Sequence, residues 1–176
     1  MLDPKAEVTV DPKVEAAIKE MILKVAEPLN SEDLRIVERA KSSMEQRFAH
    51  GFNQLLSLGV DTDGNEYEGL QLDCPIGQDS VCAEISVIVK AVQARADLTT
   101  IVTVHERRED EGGDVHVVSS CACCNERLLH FFPNIKVLVW FDHEVRKVPV
   151  RVLVPLVYKR RSRPTGNGNA ANHFPE

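Results

Sequence analysis

The stretch that decides the fold is VCAEISVIVKAVQA, residues 81–94. Its apolar side chains would lie on nearly every side of a helix, which predicts a helix buried between two layers of structure. A second stretch, SSCACCNERLLHFFPNIKVLVWF, covers residues 119–141. It predicts a helix from Cys121 to about Phe132, stopped by Pro133, and then a strand over residues 135–141 that is buried on both faces. Helices that alternate with strands in this way predict an α/β fold, with a partly parallel sheet and helices on both of its sides.

The remaining elements are predicted from hydrophobic spacing and turn residues. Apolar residues recur at helical spacing over residues 14–25 and predict an amphipathic N-terminal helix. A second helix is expected over residues 31–48, with Ser31 as its N-cap. Strands are predicted over residues 52–60 and 66–72, joined by a hairpin turn at residues 61–65, and over residues 100–105 and 145–150. Residues 115–119 are predicted to form a second short strand or to continue the strand over residues 100–105 after an insertion.

Length and charge limit the class of protein. The chain has 176 residues, which fits one domain that can bury a substantial core. The net charge of −6 argues against a protein that binds phosphate backbones. The basic cluster at residues 159–163 is interpreted as a solvated end, with an anion or an acidic partner as the alternative. No apolar run approaches the length of a membrane span and no secretory signal is recognisable at the start, so the expected location is the cytoplasm.

The cysteine pattern indicates metal or catalytic chemistry. The chain has five cysteines, and three of them fall within residues 121–124. Cysteines this close in sequence rarely form a disulfide with one another, and an odd total argues against a disulfide framework. We therefore expect reduced cysteines.

Cysteines stand at the predicted starts of both central helices. A helix N-terminus offers unpaired N–H groups and the positive end of the helix dipole, which favour thiolate over thiol. Cys82 from one helix, with the C-x-x-C pair Cys121 and Cys124 from the other, could bind one metal ion. Three protein ligands leave a fourth tetrahedral position for water, which is the arrangement of a catalytic zinc. Glu84 lies two residues past Cys82 and is the candidate to exchange protons with that water.

Other interpretations of these residues remain at this point. A C-x-x-C pair is also typical of half a structural zinc site, and Cys123 stands where it could replace either member of the pair. Glu84 could serve only as an acid that complements the dipole of its helix. Cys74 and Trp140 are interpreted as core residues, and the six histidines as structural or surface residues.

The chain resembles the small cytidine deaminases and the blasticidin S deaminases in three motifs. These are Cys82-Ala83-Glu84, the C-x-x-C at Cys121 and Cys124, and the sequence Phe-Pro-Asn-Ile-Lys-Val at residues 132–137. The likeness extends over residues 34–158 and implies a three-layer αβα sandwich with a mixed five-stranded sheet. It also implies a bound Zn²⁺, a homodimer or homotetramer, and a site in which Cys82, Cys121 and Cys124 are the ligands and Glu84 is the proton shuttle. Cys123 is then a free thiol.

The resemblance further implies hydrolytic deamination of a cytosine-type base in a free nucleoside or a nucleoside-like compound. The substrate-binding residues that it implies are Gln71, Asp73, Phe52, Asn53, Ala83 and Ser119. Gln71 and Asp73 stand where family members carry an Asn and a Glu that hold ribose hydroxyls, although both are also ordinary polar residues for a strand end. Because each differs from the family residue by one methylene, we expect cytidine to be a poor substrate compared with a modified nucleoside.

Two other functions are consistent with the same motifs. A deaminase of polynucleotides would use the same chemistry, but such enzymes usually carry a histidine in place of Cys82 and basic channels. A zinc-containing interaction module would keep the fold without catalysis. In each case we predict an N-terminal helical extension over residues 1–30, a cytidine deaminase-like domain over residues 31–160 and a disordered tail over residues 161–176.

Overall fold

The computed structural model describes residues 11–48, 55–106 and 115–154. The helices are α1 (Pro12–Leu23), α2 (Ser31–Phe48), α3 (Ala83–Ala94), α4 (Ala122–Phe131) and α5 (Val150–Leu153). The strands are β1 (Leu55–Asp61), β2 (Glu66–Leu70), β3 (Leu98–Glu106), β4 (Val115–Val118), β5 (Lys136–Phe141) and β6 (Glu144–Pro149). Each predicted helix and strand is present, with its ends shifted by a few residues, and the short helix α5 was not predicted. The predicted tail and the basic cluster at residues 159–163 lie outside the described residues.

The strands form one mixed sheet in the order β2-β1-β3-β5-β6, with β4 also paired to β3. The pairing of β3 with β5 is parallel, and the other pairings are antiparallel. One edge of β3 is shared, because Thr100–Val102 pair with β5 and Thr103–Glu106 pair with β4. The described sheet therefore has six strands, where the family resemblance implied a five-stranded sheet. It is still five strands wide, since β4 and β5 lie along the same edge of β3.

Helices cover both faces of this sheet, which confirms the three-layer αβα architecture. On one face, α2 packs Ile36 and Met44 against Leu56, Leu58 and Val102 of the sheet. On the other face, α3 and α4 pack a second cluster that includes Val87, Leu128, Val137 and Val139. Side chains alternate between the two faces along each strand, so both clusters take residues from β5.

Three expectations about individual residues are corrected. Val89 and Val92 on α3 are nearly half exposed, so this helix is not buried on every side as predicted. Trp140 is 51% exposed and is not a core residue. It shares the face of Leu138 but lies two residues nearer the end of β5, beyond the cluster that α2 covers. The cap of α2 is Asn30 and not Ser31, because Asn30 Oδ1 accepts a hydrogen bond from the Asp33 amide at 2.9 Å.

The predicted hairpin between β1 and β2 is confirmed, and one carboxylate organises its turn. Asp61 accepts hydrogen bonds from the amides of Asp63 and Asn65, from the Asn65 side chain and from the Tyr67 hydroxyl. The side-chain bond from Asn65 is the largest cause that lowers the pKa of Asp61. Gly64 takes a φ of 82°, which a glycine adopts without the strain of a side chain.

Helix α1 and the segment after it lie along the free edge of β6. Glu27 pairs with Lys147 through two backbone hydrogen bonds of 2.8 and 3.1 Å, and Lys19 forms an ion pair with Asp142 in the β5–β6 turn. This packing protects an edge strand that would otherwise expose unpaired backbone groups. Among the described residues, none of the helices combines the length and the apolar character needed to cross a membrane.

Candidate metal centre

Two glycines let the start of α3 lie directly on the sheet. Gly59 on β1 and Gly69 on β2 face this helix. A Cβ at Gly69 would collide with the Ala83 carbonyl oxygen and come within 2.9 Å of Ser86 Cβ, and a Cβ at Gly59 would come within 2.7 Å of Val87 Cγ1. Close contact between backbones of this kind requires glycine. The first turn of α3, which carries Glu84, is therefore held at a fixed depth over β2.

We predict that Gly69→Ala lowers the free energy of unfolding by about 1–3 kcal/mol, as overpacking of a well-packed core typically does. The added methyl group pushes the first turn of α3 off the sheet, so zinc binding should weaken as well. Urea unfolding and zinc titration measure the two effects. Gly77→Ala is the matched control, because a Cβ at Gly77 meets nothing within 4 Å. If Gly69→Ala is as stable as Gly77→Ala, the close approach does not position the helix.

The structure brings the three predicted cysteines together. Cys82 is the N-cap of α3 and Cys121 is the N-cap of α4, and neither side chain makes a capping hydrogen bond, so both sulfurs are available. The Sγ atoms of Cys82, Cys121 and Cys124 all lie within 4.8 Å of one another. Cys123 is exposed on α4 and Cys74 is half-buried in the β2–α3 loop, and all five cysteines are free thiols.

The donor set fits a zinc ion. Three sulfurs from two helix N-termini match the ligand type and number of a catalytic zinc site with one open position. Burial raises the pKa of the Cys124 thiol far above its usual range, and the nearby charge of Glu84 raises it further. Burial also raises the pKa of Cys82. A divalent cation offsets this, since binding one releases the thiol protons.

Glu84 lies against this sulfur cluster. It is in the first turn of α3, is only 3% exposed, and its Oε2 accepts a hydrogen bond from the Cys124 thiol with an Sγ–Oε2 distance of 3.6 Å. A buried carboxylate at this position can act on a group bound at the sulfurs while bulk water is kept away. The predicted proximity of Glu84 to the cysteines is thus seen in the structure.

The β2–α3 loop places one of the predicted substrate residues beside the cysteines. Leu72 and Val81 pair as an antiparallel bridge through two backbone hydrogen bonds of 2.9 Å. In this register Gln71 lies opposite Cys82, so a half-buried amide is carried to the edge of the cluster.

Asp73 has a different environment from the one its predicted role requires. It lies opposite Ser80 and is exposed, and its Oδ1 accepts a hydrogen bond from the Ser80 hydroxyl at 3.2 Å. Ser119 is exposed in the segment before Cys121, and Ala83 is fully buried at the start of α3. Phe52 and Asn53 lie outside the described residues.

Asn125 and Ile85 stand where the deaminases that the chain resembles commonly carry arginines that neutralise the thiolates, but the sequence did not predict the hydrogen bond that Asn125 makes. Asn125 follows Cys124, is 7% exposed, and its Nδ2 donates a hydrogen bond to the Ser120 carbonyl at 3.1 Å. The spacing of four residues from Cys121 puts Asn125 on the same side of α4.

Comparisons with known proteins agree with this geometry. No family model matches the sequence. A blasticidin-S deaminase from Bacillus cereus is 28% identical over 134 residues, which are 75% of this chain and 96% of that protein. A cytidine deaminase from Bacillus anthracis superposes with a TM-score of 0.60 at 21% identity, over 69% of this chain and 86% of that one. The fold is therefore cytidine deaminase-like.

A further solved structure supports the same fold. The cytidine deaminase from Mycobacterium tuberculosis superposes on this chain with a TM-score of 0.56 at 17% identity, over 73% of this chain and 98% of that one. The chain therefore spans nearly the whole length of such relatives, and about a quarter of it lies outside the likeness.

Proposed function

We propose that the chain is a zinc-dependent hydrolytic deaminase of a cytosine-type base in a free nucleoside or a nucleoside-like compound. The observation that carries the proposal is the meeting of three cysteine sulfurs with a buried carboxylate that is close to them. Deaminases of nucleobases use this combination of a cysteine-bound zinc and a glutamate that is not a ligand. The deaminase relatives in sequence and fold support the same reaction class.

In this proposal Cys82, Cys121 and Cys124 would hold the ion. When bound, zinc supplies an activated water as the nucleophile. Because three thiolates donate more charge than neutral histidines, the water is acidified less and a protein base is needed. Glu84 is that base: its carboxylate takes a first proton from the water and delivers it to the ring nitrogen, and then takes the proton left on the added hydroxyl and delivers it to the amine, which departs as ammonia.

Burial of Glu84 favours this role, because bulk water cannot exchange its proton before transfer. In this proposal Gln71, which lies opposite Cys82, binds a hydroxyl of the substrate. The backbone near Ala83 and Ser119 would hold the base edge. Asp73 can bind the substrate only if it gives up the hydrogen bond from the Ser80 hydroxyl and accepts one from a substrate hydroxyl instead.

The test is ammonia release from a panel of aminopyrimidine nucleosides that includes cytidine and blasticidin S, with zinc content measured on the same sample. We expect turnover of at least one compound with one zinc per chain. Zinc at that stoichiometry with no turnover of any compound would reject the deaminase and favour the interaction module. Turnover of cytosine in single-stranded DNA or RNA alone would favour a polynucleotide deaminase.

The homodimer or homotetramer, the cytoplasmic location and the three-region division of the chain remain predictions.

We predict that cytidine is a poor substrate and that Gln71→Asn combined with Asp73→Glu improves it. A site that pairs with a hydroxyl discriminates strongly, because a mismatched partner leaves buried polar groups without hydrogen bonds. Recovery of about 1.4 kcal/mol of transition-state binding would raise kcat/KM for cytidine about 10-fold. The two single variants are the controls, and since Asp73 is bound to Ser80 we expect Gln71→Asn to give most of the gain. Wild-type cytidine kinetics equal to those of an ordinary cytidine deaminase would contradict this prediction.

A further inference from the structure

The segment that joins β4 to α4 is held from two sides. Ser119 Oγ donates a hydrogen bond to the Trp140 carbonyl of β5 at 3.2 Å. On the other side, Asn125 Nδ2 donates to the Ser120 carbonyl at 3.1 Å. The next residue is Cys121, whose Sγ belongs to the sulfur cluster. The position of this sulfur therefore depends on a segment fixed both to the sheet and to α4.

Asn125 is an unfavourable residue for the place where it lies. Ser120 and Asn125 are each 7% exposed, and Ser120 Oγ and Asn125 Oδ1 are buried without a hydrogen-bond partner among the described residues. Buried polar atoms in native proteins nearly always have partners, so an exception calls for an explanation. An apolar side chain of similar size would avoid the cost of the unpaired oxygen, whereas it could not donate to the Ser120 carbonyl.

We propose that Asn125 is a positioning residue for the metal. Its amide ties the segment that carries Cys121 to the helix that carries Cys124, so that these sulfurs are held at ligating distance before the ion arrives. The inference rests on the proposed function only in taking the ion to be zinc. Groups that orient metal ligands through hydrogen bonds commonly affect metal affinity by 10–100-fold.

The side chain also suits the charge of the site. The three cysteines as thiolates, with Glu84, place four negative charges around one divalent cation. A neutral amide holds the segment by a hydrogen bond and adds no further charge to this group. In this proposal Asn125 sets the geometry of the ligands and takes no part in proton transfer.

The test is zinc affinity, measured by competition with a chromogenic chelator, for the wild type and three variants. Asn125→Leu removes the donor and the unpaired oxygen, and we expect zinc to bind about 10–100-fold more weakly. Asn125→Asp keeps the shape and loses the N–H donor to the Ser120 carbonyl, so we expect weaker zinc binding there as well, even though an added negative charge attracts a cation. Ser120→Ala removes only an unpaired hydroxyl and should bind zinc as the wild type does. The absorption spectrum of bound Co²⁺ should change for both Asn125 variants and not for Ser120→Ala.

Thermal unfolding of the metal-free proteins separates positioning from general stability. We expect Asn125→Leu to unfold near the wild-type temperature, because removal of the unpaired oxygen offsets the cost of leaving the Ser120 carbonyl without a donor. The proposal is overturned if both Asn125 variants bind zinc with wild-type affinity. It is also overturned if both variants lose affinity and the Tm of both metal-free proteins falls by a large amount. If Asn125→Leu does not fold, the zinc affinity of Asn125→Asp decides whether Asn125 positions the ligands. A wild type that binds zinc and deaminates nothing rejects the proposed function, while the affinity comparison still decides the role of Asn125.

Discussion

Replacement of Glu84 by glutamine is expected to lower kcat by about 10²–10⁴-fold while zinc binding and the fold are retained. Glutamine keeps the size of the side chain and its place in the first turn of α3. It cannot take a proton from water at any pH that the protein tolerates, so both proton transfers lose their carrier. The hydrogen bond that Glu84 Oε2 accepts from Cys124 can still be accepted by the amide oxygen, so the sulfur cluster keeps its geometry.

Three measurements on the same sample check this result: ammonia release, zinc content and circular dichroism. Glu32→Gln is the matched control, since Glu32 is also an acid in the first turn of a helix but is exposed on α2. The control variant should keep wild-type activity. A Glu84→Gln enzyme with kcat within a few-fold of wild type would show that Glu84 complements the helix dipole and carries no proton.

Substitution of any of the three clustered cysteines by alanine is expected to abolish both zinc binding and turnover. Two sulfurs cannot hold the ion as three do, and alanine supplies no ligand atom. Elemental analysis should then find close to one zinc per chain in the wild type and almost none in Cys82→Ala, Cys121→Ala or Cys124→Ala. Burial raises the pKa of the Cys124 thiol and so favours its neutral form without metal, and we expect the variants to fold in the metal-free form, which circular dichroism will show.

Cys123→Ser is the matched control for this series. Cys123 lies on the same turn of α4 as Cys124, but it is exposed and outside the sulfur cluster. We expect this variant to retain one zinc per chain and wild-type turnover. A Cys123→Ser protein without metal would overturn the ligand assignment and make Cys123 a ligand in place of one of its neighbours.

Much of the fold could be predicted because its determinants are local. The apolar spacing of α3, the proline after α4 and the turn residues between β1 and β2 each favour one element whatever the rest of the chain does. The same holds for the site motifs, since Glu84 follows Cys82 by two residues and Cys121 precedes Cys124 by three. Such short spacings define the chemistry that a helix start can offer.

Other features depended on partners that are distant in sequence. The place of β4 in the described sheet depends on β3 being long enough to pair with both β4 and β5 along one edge. The apolar sequence of β5 predicts that Trp140 is a core residue. It is half exposed, because α2 covers Leu138 and not the end of β5. The sequence pattern defines which side chains share a face, but the helices packed on that face decide how much of it is buried.

At the site, the sequence by itself determined the identity of the three cysteines and of Glu84, and the helix starts on which they lie. Only the tertiary structure decided that Cys82 meets Cys121 and Cys124, that Gln71 lies opposite Cys82, and that Asp73 is bound to Ser80. The hydrogen bond from Asn125 to the Ser120 carbonyl was likewise decided only by the tertiary structure. The physical reason is one of range: helix propensity and motif spacing act within a few residues, whereas these contacts arise from sheet register and helix packing across the whole domain.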